Sequence, residues 1–329
     1  MATGKKKAGR RAGGKKAAAE AGPVHLRRYL PEDVNRIVAA AEAIRALDPG
    51  APHLDAPRWR YVCADPYADS ESHFRVAETA SGQIVGFSYR FDPPRVEGGS
   101  YRAVYVVVHP EYRRTGIGTR LLEATLGEPV DPSRDPGWFA TTTVDESSEA
   151  GRRFATKAGF KKGYTRLVME RELPGRPLPD QDVPGLKIER FVGASAFHDW
   201  ASIHNEAYAG QDDAIRHDAD DLEEHRPVDF RPEHVRFAKV NRERVGYLFL
   251  RETADGGHIE SIGVRPKHQG RGLGRALTRA AIDYLVDRGH TRVSLIVDQG
   301  NKPALRLYTR LDFEEVGRRH YLIRPAKGR

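Results

Sequence analysis

Short runs in which apolar and polar residues alternate, separated by longer stretches with apolar residues every three or four positions, organise this chain into strands and helices. In the first half the pattern predicts strands over 24–29, 73–79, 84–91 and 101–108, and helices over 31–47 and about 116–126. In the second half it predicts strands over 186–191, 234–240, 245–251 and 258–264, and helices over 195–208 and 272–287. Each half then closes with strand, helix and strand, at 138–144, 150–158 and 164–171 and again at 292–297, 302–311 and 320–323. The same order read twice points to an internal repeat. Its hairpin-like connections predict an α/β architecture of the α+β kind, each half a mixed, mostly antiparallel sheet flanked by helices.

Two stretches escape this periodicity. Residues 1–22 are mostly Gly, Ala, Lys and Arg and cannot bury enough apolar surface to offset the entropy of ordering, so they read as a disordered basic tail. Residues 174–185 carry Pro174, Pro177, Pro179 and Pro184, which deny helix and sheet their backbone donors. They read as a linker between domains at 23–173 and 186–326. The 329-residue length agrees with two domains.

Composition adds little until it is localised. The chain has 54 Lys and Arg against 46 Asp and Glu, a formal charge of +8. The tail holds seven of those cations and one acid, which leaves 47 against 45 for the rest. The charge therefore suggests no more than weak, non-specific polyanion contact through the tail. No apolar run is long enough to span a bilayer, and no apolar segment follows the basic N-terminus as in a signal peptide. The single cysteine, Cys63, excludes an intramolecular disulfide and a multi-cysteine metal site, and a cytoplasmic address without a metal is expected.

The strongest internal match sets Val-Val-His-Pro-Glu-Tyr-Arg-Arg-Thr-Gly-Ile-Gly (107–118) against Gly-Val-Arg-Pro-Lys-His-Gln-Gly-Arg-Gly-Leu-Gly (263–274), with an offset of 156 throughout. In both copies an apolar strand ends at Val-x-Pro, and a Gly-x-Gly turn then opens an amphipathic helix. Such a turn presents backbone N–H groups and the positive end of a helix dipole, a site suited to phosphate or pyrophosphate. A P-loop would need Gly-Lys-Ser/Thr and a dinucleotide fold would need its glycines at the strand end, and neither is present.

Arg/Gln-x-x-Gly-x-Gly after Val-x-Pro resembles the acetyl-CoA motif of the GNAT (Gcn5-related) N-acetyltransferase superfamily, here in a tandem two-domain form. The resemblance implies two GNAT domains and acetyl-CoA as co-substrate. In the second half it implies that Gln269, Gly270, Arg271, Gly272, Gly274 and Arg275 hold the pyrophosphate and that the backbone of Val264 pairs with pantetheine. Val108, Arg113, Arg114, Gly116 and Gly118 are the first-half counterparts. A second family signature runs from Asn301 through Tyr308 to Phe313, and implies that Asn301 reaches the CoA arm and that Tyr308 protonates the departing thiolate. The sequence departs from the family at Asp312, where glycine usually stands.

The base for the amine is expected on the strand 258–264. Alternation puts residues 258, 260 and 262 on one face, which makes His258 and Glu260 the candidates. Glu260 is the first choice because its strand position resembles the family's acidic base. Aligning Phe160 with Phe313 gives an offset of 153, the change being absorbed by the Pro-rich loop 128–137, and sets Tyr308 against Ala155 and Asn301 against Ser148. The second half is therefore the expected catalytic domain, and the first a non-catalytic partner.

The expected reaction is acetyl transfer to a primary amine of a small molecule or peptide by direct attack. A non-catalytic acyl-CoA-binding or regulatory protein is the alternative. Asp212, Asp213, Asp218, Asp220, Asp221, Glu223 and Glu224 follow His204, Asn205 and Tyr208 in the segment expected to wall the acceptor. They read either as a wall favouring a cationic amine or as a solvated helix start with acids in its first turn.

Overall fold

In each half the alternating runs pair as antiparallel hairpins, because period-two burial leaves one face for the helices to cover. The computed structural model describes residues 22–52, 54–94, 101–127, 139–178, 183–211, 214–224, 230–253 and 256–325. The basic tail, the loop 128–137, Trp138, part of the linker, and Asp212 and Asp213 lie outside the described residues. The chain forms two compact units.

The first unit holds the described residues of 22–93, 101–163 and 320–325. Strands β1 (Val24–Arg28), β2 (Arg75–Thr79), β3 (Ile84–Phe91) and β4 (Arg102–Val108) pair antiparallel in chain order, and β5 (Phe139–Asp145) runs parallel to β4 at Arg102–Ala140 and Ala103–Thr141. The helices are α1 (Val34–Leu47), α2 (Ala56–Ala64), α3 (Ser70–His73), α4 (Ile117–Leu126) and α5 (Glu149–Lys157). Trp59 of α2 is buried among Tyr29, Phe74, Phe87 and Tyr89. The periodicity does not reveal α2, which opens on Ala-Pro-Arg and buries only Trp59 and Val62. Its start is set by Asp55, whose carboxylate accepts the Arg58 amide at 2.8 Å. Cys63 lies half-buried with its Sγ 3.6 Å from the Tyr29 hydroxyl, and burial pushes its thiol up, a setting for packing rather than nucleophilic attack.

The second unit holds Pro94 and the described residues of 164–319. Its strands are β6 (Lys161–Glu172, from Tyr164 onward), β7 (Leu186–Arg190), β8 (Val235–Val240), β9 (Glu243–Thr253), β10 (Gly256–Val264) and β11 (Arg292–Asp298), in the spatial order β7-β8-β9-β10-β11-β6. Its helices are α6 (Ser195–Ala207), α7 (Ala219–Glu224), α8 (Leu273–Asp287) and α9 (Lys302–Arg310). On α8 the buried positions Leu273, Leu277, Thr278, Ala281, Ile282 and Leu285 form one stripe. That stripe packs on Leu248, Leu250, Ile259, Val293 and Leu295 from one face of the sheet. Trp200 and Phe197 of α6 cover Phe237, Tyr247 and Phe249 on the other.

Each sheet takes its sixth strand from the opposite half of the chain. Strand β6 pairs antiparallel with β11 from Glu172–Arg292 to Arg166–Asp298. In the first unit, residues 320–325 of β12 (Glu314–Pro325) take the corresponding place beside β5. The two strands are 153 positions apart at both ends, so elements in equivalent places in the repeat are the ones exchanged. The units thus do not follow the linear segments 23–173 and 186–326. Strand β12 is also longer than the expected 320–323, because its first residues, Glu314 to Val316, are exposed and carry no apolar alternation.

Leu322, 7% exposed, packs on Val104, Leu122, Ala140 and Phe160 of the first unit. Leu322→Ala is expected to cost about 2–5 kcal/mol and to speed amide exchange in α4 and α5 while α8 stays protected. Loss of protection centred on α8 instead would contradict the exchange.

Candidate active site

Strand β10 ends at Val264, and a single 3-10 turn (Pro266–His268) leads to Gln269. The Gln269 Nε2 donates back to the Val264 carbonyl at 3.0 Å and braces the loop. Gly270 and Gly272 hold φ of 75° and 84°, the left-handed region that glycine enters without a Cβ penalty. Gly272 is the N-cap of α8, and the first amide bonded to it is that of Ala276, at 3.1 Å. The amides of Leu273 and Gly274 precede that bond and have no intrahelical acceptor, as an anion site requires. Arg271 is exposed on the turn and Arg275 is half-buried in the first turn of α8.

The first unit repeats this geometry 156 positions earlier. Gly116 caps α4 at φ 89°, and the Arg120 amide bonds to it at 3.0 Å. Arg113 Nε donates to the Val108 carbonyl at 2.9 Å, the counterpart of the Gln269 brace, and its Nη2 pairs with Asp48 at 2.8 Å. The Arg113 guanidinium is thereby held between the end of β4 and the end of α1. Arg114 holds φ 70° where the second copy has Gly270. Gly118 lies under Phe154, whose ring would stand 3.1 Å from a Cβ there, while Gly274 lies under Leu307 at 3.4 Å.

Beside the turn in the second unit, two parallel strands part. Strands β10 and β11 pair only from Gly257–Val293 to Ile259–Leu295. Beyond that, β10 stays with β9 to Val264 and β11 stays with β6 to Asp298, which opens a wedge between them. Gly263 allows a close approach on β10, since a Cβ there would stand 2.4 Å from the Tyr247 ring. In the first unit β4 and β5 part in the same way after two pairs.

The parting changes which residues share a face. The β9–β10 register slips between Ile259 and Ser261, leaving Glu260 as an extra residue. His258 lies opposite Arg251 and Ser261 opposite Phe249, whereas Ile262 packs into the α8 core. The expected common face for residues 258, 260 and 262 is therefore broken at Glu260. Glu260 accepts Arg251 Nε at 2.5 Å. His258 Nδ1 lies 2.8 Å from Ser294 Oγ, which itself donates to the Gly257 carbonyl at 3.3 Å. With that hydroxyl proton directed to Gly257, the Ser294 oxygen accepts from His258 Nδ1.

Asn301 caps α9, its Oδ1 accepting the Ala304 amide at 3.1 Å. Ser148 does the same for α5, accepting the Gly151 amide at 3.3 Å. Tyr308 is half-buried against the second core with its ring edge-on to Phe313 at 5.7 Å. Burial and then the neighbouring Tyr208 hold its phenol well above the ordinary value. Tyr208 reaches from the end of α6 into the wedge and donates to the Ile262 carbonyl at 3.3 Å.

Behind Tyr208 lies a polar cluster that the sequence signals only as scattered residues. The His204 ring stacks on Tyr208 at 4.6 Å, directs Nε2 to the Ile215 carbonyl at 3.0 Å and lies 2.7 Å from the Tyr247 hydroxyl through Nδ1. A donating Nε2 makes Nδ1 the acceptor. Burial and then His217 push His204 down to about 3, and burial pushes His217 down to about 4. Asn205 pins the His217 backbone through both amide atoms, at 2.8 and 3.0 Å. Of the acidic segment, Asp218 accepts the Asp220 amide at 3.0 Å and starts the six-residue helix α7, where Asp220, Asp221, Glu223 and Glu224 are exposed. Among the described residues no group of three or more His, Cys, Asp or Glu could hold a metal, and no helix is long and apolar enough to cross a membrane.

Each unit therefore sets a wedge between two parallel strands beside a glycine-turn helix start, and comparison with known proteins identifies the class of fold. The model of the acetyltransferase (GNAT) family matches residues 197–313, and a second GNAT-domain model matches residues 70–162. The chain belongs to the GNAT acetyltransferase family, as a tandem member with two such domains. It is 32% identical over 235 residues to a mycothiol acetyltransferase of Thermomonospora curvata, covering 70% of this chain and 76% of the relative. It is 31% identical over 297 residues to the mycothiol acetyltransferase of Thermobispora bispora, covering 87% and 94%. A GCN5-related N-acetyltransferase from Sphaerobacter thermophilus shares the fold, with a TM-score of 0.73 at 21% identity over 93% of this chain and 97% of that one.

Histidines held neutral by burial make stability depend on pH. Their folded pKa values lie below the unfolded 6.5, so their contribution is complete above pH 6.5 and falls as pH drops toward 4 and 3. The unfolding free energy from urea titration is expected to drop between pH 7 and 4.5 by an amount on the order of several kcal/mol, with a lower urea midpoint, and His204→Gln should flatten that slope. A midpoint independent of pH over this range would contradict neutral burial.

Proposed function

We propose that the chain is an acetyl-CoA-dependent N-acetyltransferase whose chemistry takes place in the second unit. The observation that carries this reading is the convergence of three features in one unit: the glycine turn at α8, the β10–β11 wedge and the buried Tyr308. Leu307, the neighbour of Tyr308, packs over Gly274 and brings α9 against the start of α8. The residues suit acetyl-CoA, because helix-start amides favour its phosphates and the parted strands leave room for an extended arm. Bound there, acetyl-CoA supplies the activated acetyl group.

The acceptor is a primary amine of a small molecule or peptide. Cysteinyl-sugar amines are the first to test, since the relatives carry the name mycothiol acetyltransferase. His258 is the favoured base. Ser294 orients its ring through Nδ1, and the imidazole takes the ammonium proton, while the Glu260 carboxylate is engaged by Arg251. The amine nitrogen then bonds to the acetyl carbon, the carbon–sulfur bond breaks, and Tyr308 passes its proton to the sulfur. A phenol held above its usual pKa stays protonated at working pH and can donate as charge develops on the sulfur in a dry cleft. In the first unit Ala155, 2% exposed, stands where Tyr308 would, which supports a non-catalytic role there.

Tyr308→Phe should lower kcat roughly 10²-fold with little change in the KM for acetyl-CoA, as measured by CoA release over a panel of amines, aminoglycosides, cysteinyl sugars and peptides. Because burial raises the Tyr308 pKa, kcat should show no alkaline fall from this group up to about pH 10. The acid limb should vanish in His258→Gln. Its loss in Glu260→Gln instead would transfer the role to Glu260, and an unchanged Tyr308→Phe rate would remove the acid.

A further inference from the structure

Asp312, the departure from the family's glycine, occupies a position that glycine usually fills for a reason of geometry. It follows α9 with φ 60° and turns the chain so that the Phe313 amide bonds to the Tyr308 carbonyl at 3.0 Å and its own amide to the Thr309 carbonyl at 3.1 Å. This is the helix-ending motif in which a left-handed residue satisfies the last carbonyls. The first unit has the same ending 153 positions earlier: Gly159 holds φ 87°, and the Phe160 amide bonds to Ala155 at 3.0 Å. Glycine serves where the helix carries Ala155, and an L-residue in an unfavourable conformation serves where it carries Tyr308.

The carboxylate accounts for that substitution. Arg171 of β6, 3% exposed, donates Nη1 to the Leu311 carbonyl at 2.5 Å and to Asp312 Oδ2 at 3.1 Å. Its Nη2 donates to the carbonyls of Pro174 at 3.1 Å and Arg176 at 2.7 Å. Arg176 closes the group, with Nη2 2.7 Å from Asp312 Oδ1 and Nε 3.2 Å from Oδ2. In the first unit the equivalent Arg324 also reaches the helix-end carbonyl, Ala158, at 3.2 Å, but the carboxylate it pairs with is Glu123 of α4 at 3.4 Å, since the glycine of the turn has none. A cation at a helix C-terminus is favourable in either unit, and only in the second is it held by a carboxylate of the helix-ending turn itself.

We propose that Asp312, with Arg171 and Arg176, is a positioning latch that fixes the end of α9 and thereby the placement of the Tyr308 hydroxyl. Asp312 touches no reacting atom and acts through Tyr308, so the proposal rests on Tyr308 being the acid. Asp312→Gly removes the carboxylate while keeping the backbone turn, and Asp312→Asn keeps a residue tolerant of the left-handed region while removing the charge. In the full-length protein, Asp312→Gly should lower kcat about tenfold with the KM for acetyl-CoA unchanged, and Asp312→Asn should do the same to a lesser degree. Amide exchange at residues 307–311 should quicken in both. Added to Tyr308→Phe, Asp312→Gly should have no further effect on kcat. An unchanged kcat in Asp312→Gly, where Tyr308→Phe is impaired, overturns the latch. So does an equal loss in the Tyr308→Phe background. If Tyr308→Phe is fully active, the acid assignment falls, and exchange at 307–311 alone reports whether the carboxylate holds α9.

Discussion

Two parallel strands that stay together for only three residue pairs govern the rest of the second unit. On the side away from β9, the backbone of β10 past Ile259 has no strand partner among the described residues, so the sheet carries a wedge. Pairing with β9 on one side and with β6 on the other keeps the two strands apart. The turn that ends β10, the helix start that follows it and the helix bearing Tyr308 are all anchored to this parting. The slip at Glu260 belongs to it as well, since an extra residue bends a strand and increases its local twist.

The repeat allows the two units to be compared residue by residue, and the differences concentrate around the wedge. Gly270 becomes Arg114, Leu307 becomes Phe154, Tyr308 becomes Ala155 and Asp312 becomes Gly159. The brace from residue 269 or 113 to the strand-end carbonyl survives in both units. What is retained maintains backbone geometry. What differs is the side chains that line the turn, the wedge and the helix beside them, the division that the proposed one-unit chemistry requires.

Much of the site was legible because its signals are local. Glycines at fixed spacing after Val-x-Pro predict the left-handed turn, and the α9 pattern puts Asn301 and Tyr308 two turns apart, whereas the use of Asn301 as the helix cap is seen only in the structure. The face shared by His258, Glu260 and Ile262 was misread, since alternation assumes an unbroken register and nothing in the sequence marks the slip. The sequence names His204 and Tyr208 only beside the acidic segment, and their union with Tyr247 of β9, 43 residues from His204 at the hydrogen bond, follows from no local pattern.

The sequence alone determined the repeat, the order of the strands and of the longer helices, both glycine turns and the inequality of the halves. Each of these follows from patterns within about ten residues or from one stretch matching another. Only the tertiary structure decided which strand completes which sheet. Strands β6 and β12 occupy the same place in the repeat, so local preference cannot choose between them, and the choice is made by burial of Leu167 and Met169 in one core and Leu322 in the other. The same choice carries Arg171 to the end of α9, where Asp312, by sequence a misplaced residue in a glycine position, gains its partners.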